Sequence, residues 1–163
     1  MNQNNNIITM RFFVKNLNSF MAYKHLNTIK ELSAYLELNP RRIESWLNFN
    51  RIPTLKTLDN VANKLKVDTH ALIGEDICFN NKTYINFKIN DSANMFYINL
   101  RKFLNSYDIK SADEFYDYFE QKISKHTYYS YFKEKNPKIP SLKTLEMLAS
   151  YFYLKPYQLI ERT

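Results

Sequence analysis

Two adjacent arginines, Arg41 and Arg42, directly follow the pair Asn39-Pro40. Asn is a preferred helix N-cap and Pro is favoured at the first helical position, so this stretch predicts a helix that begins with two guanidinium groups. A guanidinium donates paired hydrogen bonds to phosphates, to carboxylates and to the edge of guanine. Two arginines on a helix are also common on an ordinary solvated face. The residue types by themselves leave both interpretations open.

Catalytic chemistry has no comparable signal in this chain. No nucleophile–base spacing, carboxylate pair or phosphate-cradling loop emerges, and the only glycine is Gly74. The three histidines lie far apart in sequence, and the single cysteine has no second cysteine to complete a metal-ligand pair. We therefore expect a protein that is not an enzyme and that has neither a metal site nor a cofactor.

The charge balance favours polyanionic partners. The chain holds 23 Lys and Arg against 16 Asp and Glu, a net charge of +7. Residues 1–76 hold 10 basic and 7 acidic groups, and residues 93–163 hold 11 and 8, so neither half is simply a basic tail. No apolar run approaches the ~20 residues of a membrane helix, and no signal-peptide pattern is present. We expect a cytoplasmic protein with no membrane partner.

The chain contains an internal repeat. The stretch from Ile52 to Ile73 aligns without gaps on the stretch from Ile139 to Ile160, and nine of 22 positions are identical. Upstream, the segment that begins at Asn16 aligns with the segment that begins at Asn99, at an offset of 83 rather than 87. The second copy has therefore gained four residues in between, as loops commonly do. A duplication of this kind indicates two similar structural units.

Each copy has the pattern of short amphipathic helices that begin at small polar caps. Thr28 is expected to form a capping box with Glu31, and Gly74 is expected to end the last helix of the first copy in the left-handed conformation. The remaining predicted helix starts are Asn39, Thr54, Asp68, Ser111, Ser124, Ser141 and Pro156. The aromatic and aliphatic stripes between these starts are typical of a buried core.

Four segments follow from these signals. We expect a flexible N-terminal tail over residues 1–9, a first domain over 10–76 and a second domain over 96–163. Residues 77–95 join them. There "TYINFKI" alternates in period two and "NNK" can turn a hairpin, so this linker is either extended or a short β-hairpin.

The order of these signals resembles the helix-turn-helix domain of the Xre/Cro-type phage repressor family. In the first copy, over residues 10–75, the resemblance is carried by Leu32-Ser33, Leu36, Leu38, Asn39, Ile43, Trp46, Ala62 and the run Ile52-Pro53-Thr54-Leu55-Lys56-Thr57-Leu58. The second copy matches over residues 97–161 but is divergent, with "EQK" in its turn. The turn glycine usual in the family is replaced by Glu37. The resemblance implies an all-α fold of two tandem five-helix, lambda-repressor-like domains.

The resemblance also implies which residues touch DNA. In a helix-turn-helix the second helix enters the major groove with its N-terminal residues against base edges. Adjacent helical residues point about 100° apart, so one of Arg41 and Arg42 is expected to read guanine and the other to hold a phosphate. The predicted base-reading residues are Pro40, Arg41, Arg42, Ser45, Lys125, His126, Thr127 and Ser130. The predicted phosphate contacts are Thr28, Lys30, Asn39, Asn48, Asn50, Arg51, Lys56, Ser124, Lys133, Lys135 and Lys138.

Two functions remain open at this point. The first is a sequence-specific transcriptional regulator of the phage or mobile-element repressor type, which binds double-stranded DNA as a homodimer or as an intramolecular pseudo-dimer. The second is a protein-binding inhibitor on the same scaffold, such as an anti-CRISPR or antirepressor, with or without regulation of its own promoter. A basic groove along Lys125, Thr127 and Ser130 would favour DNA at the second copy. Exposed Tyr129 and Phe132 beside acids would favour a protein partner.

Overall fold

The structure is a computed structural model and describes residues 6–80 and 88–162. Within these ranges the fold is all-α, as the sequence predicts, and no helix is both long enough and apolar enough to cross a membrane. The α-helices are α1 (Ile8–Tyr23), α2 (Ile29–Leu36), α3 (Pro40–Leu47), α4 (Leu55–Leu65), α5 (Thr69–Gly74), α6 (Ser92–Ser106), α7 (Ala112–Tyr118), α8 (Lys125–Tyr131) and α9 (Leu142–Tyr151), followed by a 3₁₀ helix (Pro156–Leu159).

Small polar side chains begin the helices where the sequence predicts them. Thr28 and Ser111 form complete capping boxes with Glu31 and Glu114. In each box the hydroxyl accepts an N–H from inside the helix, and the carboxylate accepts the N–H of the cap residue. Simple side-chain caps begin α3, α4, α8 and α9, at Asn39, Thr54, Ser124 and Ser141. The start predicted at Asp68 is confirmed, although its side chain makes no capping bond.

The two halves of the chain repeat one backbone course. Helices α1 to α5 correspond in order to α6 to α9 and the 3₁₀ helix. Each left-handed residue of the first half has an equivalent in the second at an offset of 83 or 87, in the pairs His25 and Asp108, Glu37 and Glu120, Phe49 and Asn136, and Lys66 and Tyr153. A left-handed residue other than glycine costs roughly 1–2 kcal/mol. The same four turns in both halves therefore indicate that the tertiary fold imposes them.

Two predicted boundaries are wrong, and each helix concerned begins earlier than the sequence suggested. α1 begins at Ile8, inside the tail predicted over residues 1–9, and both Ile7 and Thr9 are buried. α6 begins at Ser92, inside the linker predicted over residues 77–95, and Ser92 is buried as well. The hairpin predicted in "TYINFKI" falls mostly on residues 81–87, which lie outside the described residues.

The two halves pack against each other in a reciprocal way. The first helix of each half contacts the fourth helix of the other half, α1 against α9 and α6 against α4. The fifth helix of one half meets its own counterpart, because α5 contacts the 3₁₀ helix. An interface in which each patch meets its equivalent is the signature of two-fold symmetry. The chain therefore contains an internal pseudo-two-fold axis.

Equivalent hydrogen bonds hold the two helix contacts together. The N–H and hydroxyl of Thr9 donate to Oε1 of Glu146 at 2.6 and 2.8 Å. At the equivalent place, the N–H and hydroxyl of Ser92 donate to the Asp59 carboxylate at 3.0 and 2.5 Å. The Thr69 hydroxyl adds a bond of 2.7 Å to Asp59. Two buried helix starts are thus each satisfied by a carboxylate from the opposite half.

Gly74 lies at the contact between α5 and the 3₁₀ helix, and its role there differs from the predicted one. It is the last residue of α5, and no glycine of the described residues has a positive φ, so the left-handed ending is wrong. A Cβ built on Gly74 would lie 2.3 Å from Cδ1 of Tyr157. Close approach of the Tyr157 ring requires glycine here. Beside it, the rings of Tyr157 and its equivalent His70 meet at a centroid distance of 6.5 Å.

Replacing Gly74→Ala should lower the free energy of unfolding by ~1–3 kcal/mol, because the added methyl displaces the Tyr157 ring. In a Tyr157→Gly background, which removes the ring and also the Cβ of residue 157 that would lie 2.8 Å from the new methyl, the same change should be neutral or stabilise by up to ~1 kcal/mol, since alanine is the better helix former. Urea denaturation of the four proteins measures both differences. An equal loss in the two backgrounds would show that Tyr157 is not the cause.

Candidate nucleic-acid interface

Helix α3 is fixed to the first half by one buried face. Ile43 and Trp46 are its buried residues, and the Trp46 ring packs edge-on against Phe13 with centroids 5.5 Å apart. Helix α3 packs mainly against α2, which precedes it across the turn at residues 37–39. Burial of Ile43 and Trp46 fixes the rotation of α3, so its opposite side necessarily faces outward.

Both arginines lie on that outward side. Arg41 and Arg42 are exposed, as is Pro40, whereas Ser45 is half-buried. The guanidinium carbon of Arg42 lies 5.9 Å from the centroid of the Trp46 ring, which restrains its side chain. The salt bridges within the described residues involve other side chains than these two. The guanidinium groups therefore remain available to an anionic ligand.

The start of α3 is well suited to negative charge. Oδ1 of Asn39 accepts the N–H of Arg41 at 2.9 Å, and Pro40 occupies the first helical position. No acidic residue lies in the first turn of α3. The positive end of the helix dipole and the two arginines thus coincide.

The turn before α3 contains a left-handed residue that is not glycine. Glu37 ends α2 with φ of 55°, in the left-handed region. Its carboxylate pairs with Nζ of Lys64 on α4 at 2.6 Å. Glu37 thus adopts a strained left-handed backbone conformation. The short turn that it forms keeps α2 and α3 in direct contact.

All the predicted phosphate contacts of the first half are exposed, namely Thr28, Lys30, Asn39, Asn48, Asn50, Arg51 and Lys56. The helix cap Thr54 is exposed too. The Thr54 hydroxyl caps α4, whose first turn holds no acid. Arg51 and Lys56 flank this second helix start in sequence. The start of α4 is therefore a second place where an oxyanion fits.

Thr28 does not share this property. Its N–H donates to Oε2 of Glu31 at 2.8 Å, and its hydroxyl lies 3.1 Å from the same atom. The backbone N–H groups of Asn27 and Thr28, followed by the Thr28 hydroxyl, hold the pKa of the Glu31 carboxyl below its usual value. A carboxylate therefore already occupies the place predicted for a phosphate, and we remove Thr28 from the contact set.

Helix α8, the counterpart of α3, has a different charge. The caps Asn39 and Ser124 are equivalent, which makes Lys125, His126 and Thr127 the counterparts of Pro40, Arg41 and Arg42. Lys125 is paired with Asp113 of α7, and this hydrogen bond raises the pKa of Lys125. Its ammonium also lies 5.6 Å from the centroid of the Tyr116 ring. The main cation predicted to read bases in this half thus has an acidic partner at the protein surface, where both side chains are more than half exposed.

The other predicted base readers of α8 have limited reach. His126 is exposed, but Thr127 is half-buried and donates its N–H to the Ser124 hydroxyl. Ser130 is buried, and its hydroxyl donates to the carbonyl of His126 at 2.7 Å. The burial of Ser130 contradicts its predicted role at a base edge. Its counterpart Ser45 is only half-buried.

Aromatic side chains surround α8. Tyr129 is 60% exposed, whereas Phe132 is half-buried against Tyr128, with the Arg101 guanidinium carbon 5.2 Å from its ring centroid. Phe132 therefore does not add to an exposed apolar patch beside Tyr129, because Arg101 of α6 covers its ring. The predicted phosphate contacts Ser124, Lys133, Lys135 and Lys138 are all exposed.

The turn before α8 is longer than its counterpart. It covers residues 119–124, against 37–39 in the first half, and contains two consecutive left-handed residues, Glu120 and Gln121. Its acid–base pair lies within the turn, where Nζ of Lys122 donates to Glu120 at 2.5 Å. The buried Tyr131 still takes the place of Trp46, edge-on to Phe96 at 5.3 Å. The inner face of the helix pair is thus retained while its outer face has diverged.

The residues that join the two halves are absent from the predicted site. Thr9, Asp59, Ser92 and Glu146 became significant only when the structure brought them together. A signal was present in the sequence, because Thr9 and Ser92 lie 83 positions apart and Asp59 and Glu146 lie 87 positions apart. These are the two offsets of the repeat. Among the described residues no group of three or more His, Cys, Asp or Glu side chains is placed to hold a metal ion.

Comparison of the chain with protein-family models, with curated proteins and with solved structures finds no match.

Replacing Asn39→Ala should lower the free energy of unfolding by ~1 kcal/mol, because the first turn of α3 loses its cap. Asn39→Ser should retain most of this energy, since a serine hydroxyl accepts the same N–H. Thermal and urea denaturation of the three proteins give the comparison. A serine variant as unstable as the alanine variant would contradict the capping role.

Proposed function

We propose that this protein is a regulator that binds double-stranded DNA sequence-specifically, with α2, the turn and α3 acting as a helix-turn-helix. The observation that carries the proposal is the exposed pair Arg41 and Arg42 in the first turn of α3. A helix anchored by its buried face and carrying guanidinium groups at its N-terminus has the form that major-groove reading requires.

The two neighbouring arginines, Arg41 and Arg42, have different roles in this proposal. A guanidinium makes two parallel hydrogen bonds to O6 and N7 of guanine, worth about 1–3 kcal/mol of discrimination against another base. The two side chains diverge by about 100° around α3, so they address different targets. One arginine reads the base edge, and the other holds a phosphate beside it.

The second helix start contributes position rather than sequence. The first turn of α4 has no acid, and Arg51 and Lys56 are exposed on either side of its cap Thr54. Backbone amides and cations of this kind hold phosphates and so set the register of the reading helix. Lys30 on α2 extends the same set of cations.

The single variants Arg41→Ala and Arg42→Ala separate the two tasks. Loss of the base-reading arginine should cost about 1–3 kcal/mol of binding free energy at one guanine and relax specificity there. Loss of the phosphate-holding arginine should weaken binding to all duplexes alike. Gel-shift titration at two salt concentrations, on duplexes selected from a random library, distinguishes the two effects.

Arg11→Ala is the matched control, because Arg11 is an exposed arginine of α1 outside the α2–α3 pair. This variant should bind like the unaltered protein. If Arg41→Ala and Arg42→Ala both retain full affinity and full preference for the selected sequence, α3 is not the reading helix and the proposal fails.

A protein partner at α8 is the second candidate, and one observation favours it. Tyr129 is 60% exposed, on a helix whose neighbouring α7 carries the exposed acids Asp113, Glu114 and Asp117. Exposed aromatic rings are enriched in protein interfaces, and acids repel a phosphate backbone. This face therefore suits a partner with basic and apolar side chains.

Photo-crosslinking tests this second candidate. A photoreactive phenylalanine analogue in place of Tyr129 should crosslink to one discrete protein in the cells that produce the chain. The charge reversal Asp117→Lys should abolish that crosslink. The same analogue in place of Tyr153, which is 91% exposed, is the control for mere exposure. A crosslink from position 129 to DNA would exclude the protein-docking assignment.

A further inference from the structure

The contact between the two halves is isologous within a single chain. Thr9 and Ser92 are equivalent residues, and each donates two hydrogen bonds to a carboxylate of the opposite half, Glu146 and Asp59. These carboxylates are themselves equivalent. Near the axis, His70 faces its own counterpart Tyr157. Such a self-complementary surface is what two-fold dimers use between separate subunits.

That surface has no room for a second chain. Met10 at the start of α1 is fully buried, Asp59 on α4 is 9% exposed, and Ser92 at the start of α6 is buried. Among the described residues no buried side-chain nitrogen or oxygen lacks a hydrogen-bond partner. A homodimer through this face would have to separate the halves and deprive the Asp59 carboxylate of its two donors from Ser92, which is costly for a buried charge.

The internal axis places α3 and α8 in equivalent positions about it. Helix-turn-helix proteins with two-fold symmetry contact two DNA half-sites, one on each side of the symmetry axis. Here both sides belong to one chain. The chain by itself therefore has the symmetry that a separate dimer would otherwise supply.

The two sides are not chemically equal. His126 and Thr127 stand where the first half has Arg41 and Arg42, and the cation Lys125 is paired with Asp113. No guanidinium lies on α8. Three exposed lysines follow the helix, at Lys133, Lys135 and Lys138. Such lysines hold phosphates without reading sequence.

We infer that one chain is the complete binding unit and that its DNA site is bipartite and asymmetric. This inference rests on the DNA-binding function proposed above. One half-site contains the guanine read by α3. The other, about one helical turn away, is contacted through its phosphates by the second half and is degenerate in sequence.

Sedimentation of the protein without DNA tests the first part. The chain should sediment as a monomer at micromolar concentration, because its isologous surface is covered internally. A dimer under these conditions overturns the inference, whatever the protein does to DNA.

Selection from a random duplex library tests the second part. The enriched sequence should have a conserved block containing guanine on one side only, and hydroxyl-radical footprinting should show a second protected segment about 10 bp away. Native mass spectrometry should find one chain per duplex. A palindromic sequence or two chains per duplex overturns this inference while leaving the proposed function intact. If no sequence is enriched, the proposed function falls, and the asymmetric site falls with it.

A gain-of-function variant sharpens the test. The combination Asp113→Asn, His126→Arg and Thr127→Arg gives α8 two guanidinium groups and removes the acid that faces position 125. Selection with this variant should enrich a second conserved guanine block in the formerly degenerate half-site. The single change Asp113→Asn is the control and should add no new block. If the arginine variant folds, binds DNA and selects the original sequence unchanged, α8 does not face the duplex and the inference is wrong.

Discussion

The burial of one face of each short helix is the constraint on which the structure depends. Helices of seven or eight residues, such as α2, α3, α7 and α8, are too short to persist alone in water. Each is stable only because apolar side chains attach it to longer neighbours, as Trp46 attaches α3 to Phe13 of α1. The same attachment decides which side of the helix remains outside. The exposed arginines of α3 are therefore a consequence of core packing.

The duplication extends this logic from a helix to a half of the chain. Tyr131 and Phe96 repeat the contact of Trp46 and Phe13, and the left-handed turn residues recur although none is glycine. Inner positions have kept their geometry because a change there leaves a cavity or an unpaired polar group. Outer positions carry no such penalty. Arginine on α3 and histidine with threonine on α8 are the result, together with a longer turn before α8.

The polar contacts between the halves supply hydrogen-bond partners to buried backbone groups. The first amides of a helix have no partner inside it, and at the starts of α1 and α6 these amides are buried. A carboxylate from the opposite half satisfies each start. The side-chain amides of Asn16 and Asn99 each donate to two carbonyls at the end of the fifth helix of their own half. The internal two-fold axis is thus built from groups that would otherwise be costly to bury.

The sequence alone determined the all-α class, the duplication, the side-chain caps of α2, α3, α4, α7, α8 and α9, and the place of Arg41 and Arg42 in the first turn of α3. These properties depend on neighbours within a few residues, where side-chain type and spacing suffice. Tertiary structure alone decided the partners of distant groups. It paired Lys125 with Asp113, buried Ser130 and set Gly74 against Tyr157. It also extended α1 and α6 to include Thr9 and Ser92, which lie before the starts predicted from the sequence. Such contacts are fixed by how helices pack across the chain, and no local pattern records that packing.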